Sequence, residues 1–336
     1  MAPRIDKLVE AWEPILKRAF LDSVYALRSQ AQLDLIIRML EADNFEAAIR
    51  AVGLDPVAFR AFDKSLFNAF EAGGNFTSSA LPVVKLSDGF KVTFQFNVRN
   101  PAAEQWLSQH SSKLVSEITD DTRVMLRDVF TKGMAKGLNP RTVALDVVGR
   151  VNPLTGRREN GLLGVTSSQQ KWIENYADEL ASDNPRAALS RTLRDKRFDR
   201  AVIKAVESGE AIPASLQNKM VTAYTNRALR YRAENLARSE AMTALHEAQQ
   251  QSMEQAVQTG AITQQDVKFT WRTASDDRVR DSHETMDGQE VAMGEMFITG
   301  DSVPIEFPGD PNAPIEETAS CRCFREPSID FAARLT

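Results

Sequence analysis

The sequence predicts an α+β protein that is mostly α, with a helical N-terminal body, a small β element, and a long helix leading into a compact α+β C-terminal domain. Apolar residues recur at helical spacing through most of the chain, and short alternating segments near residues 90 and 270 indicate strands. We expect residues 1–160 to be mainly helical with a β-hairpin near 82–97, residues 161–265 to be helical, and residues 266–336 to form a small α+β part.

The chain is predicted to open with a helical hairpin or short bundle. Its apolar positions follow helical spacing, which is typical of a helix face packed in a core. They are Ile5, Leu8, Val9, Trp12, Ile15 and Leu16, followed by Leu33, Ile36, Ile37 and Leu40.

A strand is predicted next, because Phe90, Val92, Phe94 and Phe96 alternate with polar residues. An isolated strand needs a partner, and residues 82–86 are the nearest candidate for a hairpin.

Helix is predicted again from about Pro101, ending at the turn signal of residues 137–140, with another short helix over residues 143–148. The loop at 152–161 carries turn residues at both ends, and we interpret it as a domain boundary. From Ser167 the chain is again helical. A helix from about Ser215 to Gly260 would exceed about 60 Å at 1.5 Å per residue, so we expect a bend or break, with Gly260 as its C-cap.

Composition excludes several classes of function. The 336 residues carry a net charge of -5, with 43% hydrophobic and 26% charged residues, which is ordinary for a soluble globular chain. No stretch has the length of apolar sequence that a spanning helix needs, and the N-terminus lacks the apolar core of a signal peptide, so a cytoplasmic chain is expected. A general nucleic-acid coat would be basic. Six basic residues nevertheless form a possible DNA or partner contact: Arg186, Arg191, Arg194, Lys196, Arg197 and Arg200.

The region from Trp271 to Cys323 concentrates the residues that carry chemistry. It holds both cysteines, one of three histidines, a dense Asp/Arg run and several prolines. Residues 268–273 alternate as a strand, which would direct Phe269 and Trp271 into a core. Asp276 is expected to cap the turn that follows, and Gly288 to supply the positive φ of a tight turn at 286–289.

The same region resembles a known family. The run WRTASDDRVRDSHETMDGQEV, then FPGDP, then CRC, is similar to the end of the Mu F-like phage head morphogenesis proteins, also called minor head or minor capsid proteins. The motif Arg238-Ser239-Glu240 on the long helix matches the helix that precedes it, and the resemblance extends over about residues 185–325. The matching positions are Arg238, Glu240, Trp271, Asp276, Arg278, Arg280, His283, Asp287, Gly288, Pro308, Gly309, Cys321 and Cys323.

The resemblance implies a structural, non-catalytic protein of the virion. Such proteins associate with the portal, act in head morphogenesis and in DNA packaging or ejection, and lie inside the phage head or procapsid after assembly in the host cytoplasm. Contacts with the major capsid or scaffolding protein and with packaged DNA would also fit. Some relatives carry a toxin domain after the cysteine motif, and with thirteen residues after Cys323 we expect none here.

A structural zinc site is one interpretation of the cysteines. His283, Cys321 and Cys323 are ligands of the kind zinc prefers, and the fourth position is open to Asp276, Asp281, His246 or water. The alternative is that the thiols and imidazole are simply buried and hydrogen-bonded.

Two other functions remain open from the sequence. A metal-dependent hydrolase or nucleotide-modifying enzyme would use His283, Glu284, Cys321 and Cys323, although the helical H-E-x-x-H pairing is missing. A DNA-contacting internal head protein would use the basic residues between 186 and 200, with binding that weakens steeply with salt.

Overall fold

The fold was derived from a computed structural model, which describes residues 4–81, 83–85 and 91–330. Helix accounts for 63% of the structure and strand for 7%. This confirms the predicted class of a mostly α protein with a small β part.

The helices follow the apolar periodicity of the sequence. Within the described residues they are α1 (Ile5–Gln30), α2 (Leu33–Glu41), α3 (Phe45–Val52), α4 (Arg60–Ser79), α5 (Pro101–Ala135), α6 (Pro140–Val148), α7 (Ser167–Ala181), α8 (Asp199–Ser208), α9 (Ala214–Gln258), α10 (Asp281–Glu284) and α11 (Ile315–Thr318).

The strands are short and pair antiparallel. They are β1 (Val84–Lys85), β2 (Lys91–Val92), β3 (Arg150–Val151), β4 (Arg158–Glu159), β5 (Val267–Arg272), β6 (Glu290–Ala292), β7 (Phe297–Ile298), β8 (Pro304–Ile305) and β9 (Phe324–Ile329). Strands β1 and β2, β3 and β4, and β7 and β8 form two-stranded ladders, while β6, β5 and β9 form a three-stranded sheet with β5 in the middle.

The chain divides into two compact units built from separated segments. Unit 1 comprises Met1–Ala19, Phe62–Ser112 and Glu234–Thr336, and unit 2 comprises Phe20–Ala61 and Lys113–Ala233. Residues 152–161, which we interpreted as a boundary, contain the turn between β3 and β4 and lie inside unit 2. The division into regions at 160 and 265 stays a prediction.

Unit 2 has a helical core. Helices α2, α3 and α6 and part of α5 bury apolar side chains against one another, and Ile36, Leu40, Phe130 and Val147 are completely inaccessible to solvent. Asn44 caps α3 and Asn139 caps α6 through their side-chain oxygens, which satisfies main-chain N–H groups at both helix starts. The predicted helix stop before Pro140 is confirmed.

Unit 1 is organised by close packing of α4 against α9. A Cβ atom added to Gly73 would lie 2.9 Å from the main-chain oxygen of Leu245, and Ser252 donates a hydrogen bond to the carbonyl of Gly74 at 3.2 Å. The alanines of α9 at this level, including Ala244 and Ala248, are fully buried. Small residues on both helices therefore allow their backbones to approach.

The three-stranded sheet carries the predicted core residues. Side chains on β5 alternate between buried and more exposed positions, and Phe269 and Trp271 are 2% and 0% exposed. Trp271 pairs in register with Arg325 on β9. The prediction of a strand leading out of the long helix with these two aromatics in the core is confirmed.

Three local predictions need correction. The strand through residue 96 is shorter than expected, because β2 ends at Val92 and neither Phe94 nor Phe96 belongs to a strand; Phe90 lies outside the described residues. The hairpin itself is confirmed by the pairing of Val84 with Val92. In α1, Ile15 is 46% exposed and does not belong to the core.

The expected break in the long helix is the third correction. Helix α9 is continuous over 45 residues, or about 68 Å at 1.5 Å per residue. Its end was predicted correctly: Gly260 has φ +74°, and its N–H and that of Ala261 bond to the carbonyls of Val257 and Ala256, as in a Schellman C-cap. Among the described residues, no helix has the length and apolar character needed to cross a membrane.

Candidate functional site: a buried cysteine and histidine cluster

The two cysteines lie on the short segment that enters β9. Cys321 and Cys323 are 1% and 2% exposed, and the main-chain N–H of Cys323 points to the sulfur of Cys321 at 3.4 Å. Helix α9 holds this segment from one side. The Arg238 guanidinium donates to the Cys321 carbonyl at 3.0 Å, and the Ser320 hydroxyl donates to Asn235 Oδ1 at 3.1 Å.

The structure brings His283 to both sulfurs. His283 lies on α10 and is 1% exposed, and its Nδ1 is 3.5 Å from Cys321 Sγ and 3.4 Å from Cys323 Sγ. The three atoms all lie within 4.8 Å of one another. The Trp271 ring meets the imidazole edge to face at 5.4 Å between centroids. The predicted grouping of one histidine and two cysteines is therefore present in the fold.

Glu317 completes the cluster, and sequence reasoning missed it. Its Oε2 lies 2.9 Å from His283 Nε2, within ion-pair distance although the N–H is not aligned for a hydrogen bond. The Ser282 hydroxyl donates to the same oxygen at 3.0 Å. Glu317 is 6% exposed. Histidines that bind metals usually direct their second ring nitrogen to a carboxylate. A glutamate four residues before the first cysteine was therefore a signal from which this contact could have been predicted.

The two thiols differ in proton affinity. Hydrogen bonding from Cys323, with a further contribution from His283, holds the pKa of Cys321 well below its usual value. The hydrogen bond to Cys321 and burial raise the pKa of Cys323, while the Trp271 N–H and the positive charge of Arg280 act in the opposite direction.

Asp276 does not join the cluster. Its carboxylate accepts a hydrogen bond from Arg322 Nε at 3.1 Å and lies 3.7 Å from the Arg278 guanidinium. The hydrogen bond from Arg322 lowers the pKa of Asp276. The tentative assignment of Asp276 as a metal ligand is corrected for this reason, since the carboxylate is already paired. Its predicted role in capping the following turn is present, because it accepts from the main-chain N–H of Arg278 at 3.2 Å.

His246 and Asp281 do not supply a fourth ligand either. His246 Nδ1 is 2.9 Å from the Met242 carbonyl, and its Nε2 accepts the main-chain N–H of Arg325 at 3.4 Å. Burial lowers the pKa of His246 to about 3, so the imidazole is neutral. The side chain of Asp281 is exposed and not grouped with the cysteines.

Comparison with known proteins identifies the part of the chain that surrounds this cluster. Residues 196–325 match the family model described as Phage Mu protein F like protein. Over this stretch, which is less than half of the 336 residues, the chain is similar to the Mu F-like family. The match contains α8, α9, the sheet strands β5 and β6, and both cysteines. Comparison with curated proteins and with solved structures gave no match. This similarity suggests a phage head morphogenesis protein.

The triplet Arg238-Ser239-Glu240 contacts several other parts of unit 1. Besides the Cys321 carbonyl, Arg238 contacts Glu13 at 3.1 Å, and the Ser239 hydroxyl accepts the Ser320 N–H at 3.4 Å. Glu240 Oε2 lies 2.7 Å from His110 Nε2. The triplet therefore connects α9 to the cysteine segment and to two other helices of unit 1.

Other residues of the Mu F-like motifs hold loops in place through hydrogen bonds. Arg280 donates to the Ala319 carbonyl, and Asp287 accepts the Thr273 N–H at 2.8 Å. Gly288 has the predicted positive φ, at +82°, and its N–H donates to the Trp271 carbonyl at 2.9 Å.

The FPGDP motif contacts α9 through Gly309. The Thr243 hydroxyl donates to the Gly309 carbonyl at 2.6 Å. Gly309 has φ +87°, and a Cβ atom there would lie 3.0 Å from the Cβ of Met242. Pro308 and Gly309 thus place this loop directly on the long helix.

Arg325 is a second residue that sequence reasoning missed. Its guanidinium is 1% exposed, lies between the rings of Phe269 and Phe307 at 4.2 and 5.1 Å, and donates to Gln249 Oε1 at 2.9 Å and to the His246 carbonyl at 3.0 Å. Burial lowers the pKa of Arg325 to about 10, which leaves it charged at neutral pH. Its place directly after C-R-C-F gave no signal of burial.

The basic residues between 186 and 200 lie in unit 2, on short 3-10 turns and at the start of α8. Arg191 contacts Glu179 at 3.0 Å, Arg194 contacts Asp199 at 3.0 Å, and Arg197 contacts Asp195 at 2.6 Å. The remaining three, which are exposed, are Arg186, Lys196 and Arg200. Half of the predicted contact surface is therefore already neutralised by neighbouring carboxylates.

Proposed function

We propose that this chain is a minor head protein of a tailed bacteriophage, which associates with the portal and acts in head assembly and in DNA packaging or ejection. The observation that carries the proposal is the Mu F-like match over residues 196–325. The resemblance in the motifs around Trp271, FPGDP and the cysteines also supports it, and all of these motifs lie in unit 1.

The geometry of the cluster supports a structural role. A nucleophilic cysteine or a hydrolytic metal must meet a substrate, whereas Cys321, Cys323 and His283 are at most 2% exposed. Glu284, the base that an enzyme would need, is exposed and does not belong to the cluster. Polar side chains around the cysteines bind main-chain carbonyls: Arg238 donates to the carbonyl of Cys321, and Arg280 donates to that of Ala319.

Association with the portal is testable by co-expression. The portal protein of the same phage would carry the affinity tag, and this chain none, so that recovery depends on contact. We expect the chain to co-elute with the portal in size-exclusion chromatography, and an untagged portal sample controls for adhesion to the resin. Absence of co-elution, with both proteins folded and present, would overturn portal association.

A parallel experiment compares binding to the portal with binding to other head proteins. The major capsid protein and the scaffolding protein would each replace the portal as tagged bait. The proposal expects retention by the portal to exceed retention by either of these. Retention by capsid or scaffolding protein alone would move the docking site away from the portal and contradict the proposal. Fractionation of proheads from infected cells would test whether the chain lies inside the head.

A further inference from the structure

We propose that His283, Cys321 and Cys323 bind one zinc ion, through the imidazole Nδ1 and the two sulfur atoms. The site would be structural, and it goes beyond the proposed role in the phage head. It joins α10 to the entry of β9, which are about 40 residues apart in the chain. The proposal rests on the geometry of the three ligand atoms and on the groups that surround them.

The distances agree with tetrahedral zinc. Zinc bonds to thiolate sulfur at about 2.3 Å and to imidazole nitrogen at about 2.0–2.1 Å, so tetrahedral angles place the two ligand atoms roughly 3.5–3.6 Å apart. His283 Nδ1 lies 3.5 Å from one sulfur and 3.4 Å from the other. The three ligand atoms therefore already surround a point at which the ion would fit.

The histidine is oriented for coordination by its other nitrogen. When Nδ1 binds a metal, Nε2 carries the proton and needs an acceptor. Glu317 Oε2 lies 2.9 Å from Nε2, within ion-pair distance, although the N–H is not aligned with it for a hydrogen bond. Ser282 donates to the same carboxylate oxygen and so fixes its position. A carboxylate next to the second ring nitrogen of a histidine commonly supports that histidine as a zinc ligand.

The surroundings of the sulfurs suit thiolates. The main-chain N–H of Cys323 points to Cys321 Sγ at 3.4 Å, and the buried indole N–H of Trp271 has no hydrogen-bond partner. Two thiolates and a divalent ion have no net charge together, so this centre is less costly to bury than a lone thiolate.

The chemistry of the ligands favours zinc among the common metals. Soft thiolate ligands with imidazole suit zinc, whereas magnesium and calcium prefer oxygen ligands. Glu317 contacts only the other ring nitrogen of His283, and among the described residues no further histidine, cysteine or carboxylate groups with the three ligand atoms. Water would take the fourth position. Since the ligands are buried, this water would have no route to a substrate, and the ion would hold the fold together.

The first test uses the isolated wild-type chain, purified without a histidine tag. Elemental analysis is expected to find one zinc per chain, and titrating the two thiols with an organomercurial should release that zinc into a colorimetric chelator. Cobalt(II) replacing zinc should give a thiolate charge-transfer band. Protein that contains no zinc, takes up neither added ion and releases none on thiol titration would overturn the proposal. Because the portal is not needed, the result is independent of the proposed assembly role.

Variants identify the ligands. Cys321→Ser, Cys323→Ser and His283→Ala should each lose the stoichiometric zinc, whereas His110→Asn, which changes a histidine paired with Glu240 instead, should keep it. Glu317→Gln should still bind, about 10- to 100-fold more weakly, because it alters only the orientation of the histidine. Full zinc content in a Cys321→Ser/Cys323→Ser double variant would overturn the proposal. If ligand variants fail to fold, thiol titration of the wild type decides the question.

Discussion

The Arg238 guanidinium donates a hydrogen bond to the main-chain carbonyl of Cys321 at 3.0 Å, which connects the long helix to the cysteine segment. Hydrogen bonds from charged donors contribute about 1.5–3 kcal/mol when the acceptor is left without a partner on removal. We expect Arg238→Ala to lower the free energy of unfolding by about 1–3 kcal/mol in urea denaturation. Arg230→Ala, an exposed arginine of the same helix, should change it by less than about 0.5 kcal/mol. Equal losses in the two variants would contradict this role.

Trp271 should contribute more than any other single side chain of the sheet. It is completely buried and contacts both His283 and Phe297 through its ring. Trp271→Ala is expected to cost about 3–5 kcal/mol because it leaves a large cavity. Trp172→Ala, at a position that is 39% exposed, serves as the matched control and should cost much less. Chemical denaturation followed by circular dichroism measures both, and a small loss at Trp271 would show that the sheet core can collapse around the change.

Gly309 and Gly288 separate the effect of backbone strain from that of close packing. Both have positive φ, but a Cβ atom at Gly309 would meet Met242 and Thr243, whereas at Gly288 it would meet no atom within 4 Å. We expect Gly288→Ala to cost about 1 kcal/mol from the backbone alone, and Gly309→Ala to cost at least about 1 kcal/mol more. Thermal and urea unfolding of the two variants test this. Similar losses would mean that the FPGDP loop moves away from α9 without penalty.

Glu247 is expected to make stability depend on pH. Burial, with a further contribution from the nearby Glu306 charge, raises the pKa of Glu247 from 4.5 to about 7, while Gln251 and Arg325 oppose the shift. The folded state therefore binds a proton that the unfolded state has already lost, and stability falls as the pH rises from about 4.5 through about 7. At about 1.4 kcal/mol per pKa unit, the loss is on the order of 3–4 kcal/mol.

The measurement compares unfolding in urea at pH 5 and pH 8. Glu247→Gln should remove most of the difference that the wild type shows, and should be the more stable protein at pH 8. Glu210→Gln, an exposed carboxylate on another part of the chain, should leave the wild-type difference unchanged. A pH difference of the same size in Glu247→Gln and wild type would show that Glu247 is ionised in the folded protein.

Contact between the basic residues and DNA would depend on Arg186, Lys196 and Arg200, for which no ion pair is found within the part of the chain that the structure describes. We expect any binding to weaken steeply with salt. Changing Arg186, Lys196 and Arg200 together to glutamine should reduce the slope of log K against log salt concentration by about 2–3, since each phosphate contact contributes about 0.9. Fluorescence anisotropy with duplex DNA at several salt concentrations measures this. The control variant changes Arg197, which is paired with Asp195. Binding that is absent or insensitive to salt would remove a DNA-contacting role.

Sequence reasoning recovered the features that depend on local pattern. The apolar spacing gave the helices, and alternation placed Phe269 and Trp271 in the core. The unbroken course of α9 was not expected, because its length alone was taken to require a break, whereas small residues along α9 allow it to pack closely against α4. Glu317 and Arg325 were missed because their roles depend on distant partners: His283 lies 34 residues from Glu317, and Gln249 lies 76 residues from Arg325. No local pattern in one sequence specifies such pairings.

The division of the chain into separated segments has a consequence for synthesis in the cell. Unit 2 is complete once residue 233 has been made, whereas unit 1 needs residues near both ends. The guanidinium of Arg4, for example, lies 4.3 Å from the ring of Phe324. At about 5–20 residues per second, a ribosome needs roughly 15–65 seconds to add the residues between these two. We therefore expect unit 2 to fold first, and the part of α1 up to Ala19 to pack only after the strand and cysteine segment have emerged.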